Sequence, residues 1–316
     1  MKLPRPTRAL NFVACVFVLE MAFCLCLTPH LNEVKAAARP VIQREDQAVS
    51  QATSATVSRP ETVPVLVELF TSEGCSSCPS ADVVLARLDR EQPVPNADII
   101  VLSEHVDYWD SLGWKDRFSS PDFTQRQKDY QTLFSLSDVH TPQIIINGSV
   151  QLNGTDAEET QKAIEQAAVT NAVPLQFTGV QVHGDVITFT LLGDRPATPG
   201  YVNVYAALVD PADTTKVLAG ENKGRTLRHA GVVRKLVLVG SSWRTKALGK
   251  RPFMLQANLP GTPGILDGMR LVVFVQIKHI GPVQGAVSCS LAISTATRQS
   301  PFLADPCPTN PSTPNE

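Results

Sequence analysis

The segment Val63-Pro64-Val65-Leu66-Val67-Glu68-Leu69-Phe70 most constrains the fold. It is a nearly continuous apolar run of strand length, and a strand with apolar side chains on both faces must be covered on both faces. The next hundred residues supply the cover. Residues 80–92 place Val84, Leu85 and Leu88 at helical spacing, and Asp98–Ser103 is a second apolar strand centred on Ile99–Leu102. Residues 121–136 predict an amphipathic helix opened by Ser120-Pro121-Asp122. Gln143–Ile146 predicts a third strand, and Asn147-Gly148 a two-residue hairpin into Val150-Gln151-Leu152. Thr155-Asp156-Ala157-Glu158 caps a helix running to about Thr170. Strands separated by helices pair in parallel, and the hairpin adds antiparallel strands at one side.

From Pro174 onward the pattern changes. Short strands recur at 175–182, 186–192, 202–209, 232–239, 253–257, 271–277 and 286–291, punctuated by Gly and Pro and without a helix. Strands at this spacing predict an antiparallel sandwich. The predicted class is therefore α/β: one α/β domain over residues 63–171, then an antiparallel β-sandwich over 172–292. Residues 39–62, polar and aperiodic, predict a flexible linker, and the Pro-rich stretch 293–316 a loose tail.

Lys2, Arg5 and Arg8 precede an apolar stretch from Ala9 to Leu27, and Ala36-Ala37-Ala38 supplies small residues for cleavage. Residues 1–38 read as an export signal, placing the mature chain in the periplasm or outside the cell. The competing reading is a retained membrane anchor, the one route by which this chain would meet a membrane. Glu20 weakens it, since a mid-span acid costs roughly 2.5–3.5 kcal/mol on insertion scales. With 28 basic and 30 acidic residues there is no cationic excess for a nucleic-acid backbone. An apolar fraction of 43% excludes global disorder.

Of seven cysteines, Cys15, Cys24 and Cys26 lie in the signal, leaving Cys75, Cys78, Cys289 and Cys307. An even number in an oxidising compartment favours pairing. Cys289 with Cys307 reads as a structural tether from the last strand to the tail, or as a second redox pair. Cys75 and Cys78 belong to Leu69-Phe70-Thr71-Ser72-Glu73-Gly74-Cys75-Ser76-Ser77-Cys78-Pro79, at the junction of the first strand and first helix. A helix N-terminus offers unpaired N–H groups and a positive dipole end, which stabilise a thiolate. A three-residue offset brings the two Cα atoms within disulfide reach. Gly74 allows close approach of a substrate sulfur. The alternative is an inert structural disulfide, against which a junction expected to be exposed beside this glycine argues. Thr141-Pro142, just before the third strand, is a candidate cis bond that would leave the backbone of Thr141 free for an extended peptide.

The CxxC junction, the element order and the Thr-Pro before an apolar strand together resemble the thioredoxin fold across residues 63–171. Leu69–Pro79, His105-Val106-Asp107-Tyr108-Trp109-Asp110, Leu112-Gly113-Trp114-Lys115-Asp116 and Gly220-Glu221-Asn222-Lys223-Gly224-Arg225-Thr226-Leu227 are similar to a family of exported bacterial thioredoxin-like proteins known mainly as a domain of unknown function. That resemblance spans nearly all of residues 64–290. The resemblance to thioredoxins implies Cys75 as the attacking thiol, Cys78 as the resolving thiol and Pro142 as a wall of the substrate groove. Glu68 is a candidate proton relay for the resolving thiol, one position further from the first cysteine than the thioredoxin acid. Gly74, Ser76-Ser77 and Pro79 stand where thioredoxins carry Trp, Gly-Pro and Lys, which leaves the direction of electron flow open.

The chain is accordingly expected to be a thiol–disulfide oxidoreductase that exchanges with protein or small-molecule thiols and disulfides and needs no dissociable cofactor or metal. Two alternatives stand beside it. One is a copper metallochaperone holding Cu(I) on Cys75, Cys78 and His105 or His140, against which both histidines read more simply as structural. The other is a non-catalytic binding module of the cell envelope. Tyr108, Trp109, Trp114 and Phe118 form either a peptide-binding wall or the packing of a loop. Asp107, Asp110, Lys115 and Asp116 read as surface ion pairs. The segment Gly220–Arg225 lacks a strand-to-helix context for phosphate and reads as a long turn on the sandwich, one that could face the thioredoxin-like domain.

Overall fold

The computed structural model describes residues 62–170, 172–193, 201–243, 249–256 and 266–291. The expected signal peptide 1–38, the linker 39–62 apart from its last residue, and the tail 293–316 with Cys307 lie outside the described residues.

The first half forms in the expected order. Strand β1 (Val63–Thr71) leads to helix α1 (Cys78–Glu91), β2 (Ala97–His105), a 3-10 turn at Asp110–Leu112, α2 (Pro121–Phe134), the hairpin β3 (Gln143–Ile146) and β4 (Val150–Asn153), and α3 (Ala157–Ala167). β1 lies between β2, parallel to it, and β3, antiparallel. Local chemistry sets the helix ends. The Ser120 hydroxyl accepts from the Asp122 N–H, and the Asp156 carboxylate accepts from the Glu159 N–H at 2.9 Å, each satisfying an orphan donor. At the end of α1, Gln92 adopts a left-handed conformation, and its side-chain amide bonds Leu88, Asp89 and both backbone groups of Ile99. That ties the helix to β2.

The second half contains β5 (Leu175–His183), β6 (Val186–Gly193), β7 (Tyr201–Lys216), β8 (Thr226–Trp243), β9 (Gly249–Gln256), β10 (Arg270–Ile277) and β11 (Val283–Ser290). Their arrangement departs from the expected sandwich that follows an α/β domain. β7, β8, β10 and β11 extend the first sheet instead of closing a pair of sheets among themselves. The result is one mostly antiparallel eight-stranded sheet in the order β11-β10-β7-β8-β2-β1-β3-β4, with β5-β6-β9 as a separate three-stranded sheet. The physical reason is that β2 and β8 both offer an edge, and pairing them removes two exposed edges at once.

One face of the long sheet carries α1 and α3 over Val65, Val67, Leu69 and Val101, and the small sheet over Val204, Ala206, Leu208 and Val273. The other face is continuous across the β2–β8 junction, from Leu66 and Leu102 to Tyr205, Val233 and Phe274, with Phe123 of α2 packed on it. Each buried aliphatic or aromatic side chain contributes about 1.5–3 kcal/mol. Specific polar links also join the halves. Arg270 of β10 grips Asp89 of α1 with two 2.6 Å hydrogen bonds. Asn147, in the β3–β4 turn, accepts from Leu66 N–H through Oδ1 and from Val283 N–H through its carbonyl.

The β2–β8 contact is short, with Ser103 opposite Val232. It depends on Gly231, whose φ is +64° and where a Cβ would lie 2.8 Å from the Val101 carbonyl oxygen. Gly231→Ala therefore combines a left-handed penalty with a backbone clash and should cost about 2–5 kcal/mol. Gly184→Ala, at a similar φ of +63° with nothing within 4 Å, should cost only about 1–2 kcal/mol. Denaturant unfolding of the two variants checks the difference; equal costs would contradict a tight β2–β8 crossing.

Candidate functional site

β1 ends at Thr71, and residues 72–77 turn the chain into α1. Cys75 N–H bonds the Ser72 carbonyl, and Cys78 N–H bonds the Cys75 carbonyl. Cys75 and Cys78 form a disulfide with Cα atoms 5.4 Å apart, Cys78 being the first residue of α1. The Thr141–Pro142 bond is cis, and Cys75 Sγ lies 3.9 Å from the Thr141 carbonyl oxygen. The residues read from the sequence as attacking thiol, resolving thiol and groove wall are thus brought together. Gly154 permits this, because a Cβ there would sit 2.9 Å from Pro142 Cβ and 3.1 Å from Ala81 Cβ of α1.

The pair is covered, a correction to the exposed junction expected from the sequence. Cys75 is 1% exposed and Cys78 0%, while Ser76 and Ser77 between them are exposed. The cover comes from two segments. Trp109 packs against Gly74, and its indole N–H donates to Thr141 Oγ1 at 2.8 Å. The connection between β7 and β8 contributes Asn222, fully buried, whose side-chain amide donates to the carbonyls of Glu73 and Cys75, both at 2.9 Å. Arg225 holds Asn222 Oδ1 at 2.8 Å, and the Ser76 N–H donates to the Glu221 carboxylate at 3.1 Å. The segment expected to be a turn on a sandwich is therefore wall and roof of the cysteine site.

Behind the disulfide lies a buried charged cluster. Asp82, one turn beyond Cys78 on the buried face of α1, accepts from Thr71 Oγ1 at 3.1 Å. His229, on β8, lies between Asp82 (3.3 Å) and Glu73 (3.4 Å). Burial works against a charged His229, but the two carboxylates outweigh it and raise its pKa to about 10. Glu73 also accepts from the Trp114 indole at 2.7 Å. The His105 ring meets the His229 ring edge-to-face at 4.9 Å and bonds Asp116 at 2.7 Å. Burial pushes the Asp116 carboxyl up, yet His105 beside it and the N–H groups of Glu73 and Phe118 leave it below the usual carboxylate range.

Other candidates take different places. Glu68 points to the opposite side of β1 from Leu69 and Thr71 and is not brought to the cysteines. Its carboxylate is held by Arg126 and by the Tyr130 hydroxyl at 2.6 Å. Burial pushes Glu104, 3.6 Å from Arg126, well above the ordinary carboxylate range against the pull of that guanidinium. Asp116 is 1% exposed and paired with His105, a correction to the surface ion pair expected of it. His140 is exposed. Phe118 packs against both buried histidines and beneath Arg117 and Arg234. Cys289 on β11 is disulfide-bonded, while its expected partner Cys307 lies outside the described residues. Among the described residues, no three His, Cys, Asp or Glu side chains are grouped to hold a metal ion, and no helix is long and apolar enough to cross a membrane.

Sequence reasoning missed Asp82, His229 and Asn222. A readable signal existed for the first: a carboxylate four residues after Cys78, beside Ala81 on the stripe that Leu85 and Leu88 continue, is out of place on an apolar helix face. Asn222 stood within the singled-out stretch Gly220–Leu227 but was given no role of its own, and His229 carried no comparable local mark.

No curated protein matches the chain. Among solved structures, it resembles the crystal structure of a protein from Agrobacterium tumefaciens, with 26% identity and a TM-score of 0.56 over 76% of this chain and 99% of that one. A family model described as "Protein of unknown function (DUF1223)" matches residues 66–276, well over half of the chain and every element around the disulfide, and the chain belongs to that family.

Proposed function

We propose that this chain is an exported thiol–disulfide oxidoreductase built on a thioredoxin-like core, with Cys75 and Cys78 as the exchanging pair. The observation that carries the reading is a disulfide at the amino end of α1 with Thr141-Pro142 facing its first sulfur. The order β2-β1-β3-β4, with β1 and β2 parallel and the hairpin antiparallel, supports the core assignment. In the reducing direction, the Cys75 thiolate attacks a substrate disulfide and forms a mixed disulfide, releasing one substrate thiol. Cys78 then displaces the second, and two electrons pass from the cysteine pair to the substrate. The partner class is protein or small-molecule thiols and disulfides.

Exchange requires access, and the covered disulfide means that residues 217–225 must lift from the motif before a substrate reaches Cys75. That burial is also the one observation favouring a second reading, in which the disulfide is a staple and the chain is a non-catalytic binding module of the cell envelope.

Two measurements separate these. Cys75→Ser should abolish insulin reduction driven by dithiothreitol; activity equal to the unsubstituted chain would remove the oxidoreductase assignment. Asn222→Ala removes two hydrogen bonds worth about 0.5–1.5 kcal/mol each, so it should raise the rate at which dithiothreitol reduces Cys75–Cys78 by about tenfold. A disulfide that resists dithiothreitol in both the unsubstituted chain and Asn222→Ala until the protein unfolds would favour the staple.

A further inference from the structure

Under the exchange reading, on which this inference rests, the direction of electron flow is still open. The contacts between the tip of the β7–β8 arm and the cysteine motif bear on it, and they differ in kind. Asn222 donates its side-chain amide to the carbonyls of Glu73 and Cys75. Those are bonds between neutral groups, indifferent to the charge on the cysteines. Glu221 meets the motif through charge: the Ser76 N–H donates to its carboxylate at 3.1 Å. Covalent geometry holds that nitrogen within about 5 Å of Cys75 Sγ. The carboxylate oxygen therefore lies within about 8 Å of the sulfur.

We infer that Glu221 sets the direction of exchange, favouring the disulfide over the Cys75 thiolate and so making the reduced pair an electron donor. A disulfide carries no charge, and a carboxylate beside it repels nothing. A thiolate on Cys75 is repelled by that carboxylate, at a separation inside the Debye length of about 8–10 Å at moderate salt. The carboxylate also takes an N–H of the turn into α1, a donor that otherwise lends partial positive charge to a thiolate there. Burial acts in the same sense. With the arm down Cys75 is 1% exposed, and a thiolate loses hydration that a disulfide does not need. Closure of the arm and reduction of the pair are therefore antagonistic, and by linkage each opposes the other equally. The tip can move as a unit. Gly224 N–H donates to the Val217 carbonyl at 2.8 Å and Val217 N–H to the Arg225 carbonyl at 3.0 Å, so residues 217–225 are closed on themselves.

Atoms and electrons balance in the favoured direction. The Cys75–Cys78 dithiol gives two electrons to a substrate disulfide; the bond between the cysteines forms, the substrate sulfur–sulfur bond breaks, and the two thiol protons end on the substrate sulfurs. The arm then closes on the uncharged product and bars the released thiols from attacking it. A dithiol donor of lower potential, meeting the arm lifted, reloads the pair by the same exchange in reverse and becomes a disulfide.

The test equilibrates the full chain with redox buffers at pH 8, blocks free thiols and counts dithiol and disulfide forms by mass. In reduced and oxidised glutathione at about 1 mM each, the unsubstituted pair should be almost wholly disulfide, as a donor's is. A pair that stays mostly dithiol there would overturn the donor assignment. In mixtures of reduced and oxidised dithiothreitol, Glu221→Gln should favour the dithiol by about three- to tenfold in the equilibrium constant, a rise of about 15–30 mV. Raising salt from about 0.05 M to 0.5 M should shrink that difference by about half. In an Asn222→Ala background, where the arm is no longer held down, Glu221→Gln should change the constant less than about twofold. An unchanged or lowered potential in Glu221→Gln, or the same rise with and without Asn222, would overturn the role of Glu221 while leaving exchange intact. Should Asn222→Ala not fold, the salt dependence decides, and a difference indifferent to salt overturns the inference. If no mixture converts Cys75–Cys78 to the dithiol short of unfolding, the exchange reading itself fails.

Discussion

The pairing of β8 alongside β2 is the constraint on which the rest of this molecule depends. It turns two sets of strands into one eight-stranded sheet, makes the core on one face continuous from Leu66 to Phe274, and swings the β7–β8 arm over the start of α1. A single register pair, Ser103 with Val232, marks it, and Gly231 makes it possible by bringing no side chain to the Val101 carbonyl. β7 and β8 are long, 16 and 18 residues, and that length lets one arm serve two ends. Its outer part carries the apolar stripe under the small sheet, and its inner part delivers His229 and Asn222 to the cysteines.

β1 separates two buried charged networks, and the separation has a chemical consequence. On the side of α2, Glu68, Arg126, Tyr130 and Gln276 satisfy one another, and Arg126 also faces Glu104. That arrangement cross-links α2, β1 and β10, while both carboxylate oxygens of Glu104 have no hydrogen-bond partner among the described residues. On the side of α1, the Asp82–His229–Glu73 cluster sits against the disulfide with longer contacts, 3.3 and 3.4 Å, and several nitrogen and oxygen atoms without a hydrogen bond of good geometry. Buried polar atoms left so loosely satisfied are costly, and such sites are where chemistry tends to reside.

Much of the fold was legible in local patterns. The unbroken apolar run of β1, the Ser120-Pro121-Asp122 helix start and the Asn147-Gly148 turn each specify their element through chemistry contained within a few residues, and each element formed with those ends. The C-terminal strands were legible as strands for the same reason. Their partners were not, because an antiparallel ladder is set by which edges meet, and nothing in the alternation of β8 distinguishes a sandwich neighbour from β2. The same limit governed the site. Cys75, Cys78 and Pro142 sit in motifs whose spacing has meaning by itself. Glu68 was a reasonable acid by sequence distance, but side-chain alternation along β1 sends it to the far face.

By itself the sequence determined the order and type of the elements, the start of α2, the β3–β4 turn, the cysteine pair at a helix start and the Thr-Pro before the third strand, since these follow from periodicity, capping and the reach of a three-residue offset; it did not determine the ends of β7 and β8, expected at 202–209 and 232–239 and found to run over 16 and 18 residues. Only the tertiary structure decided which strands share a sheet, that the disulfide is roofed by Asn222, and that its buried neighbours are Asp82 and His229. Those outcomes rest on contacts between residues more than a hundred positions apart, where edge pairing and the burial of charge select the partner and no local pattern records the choice.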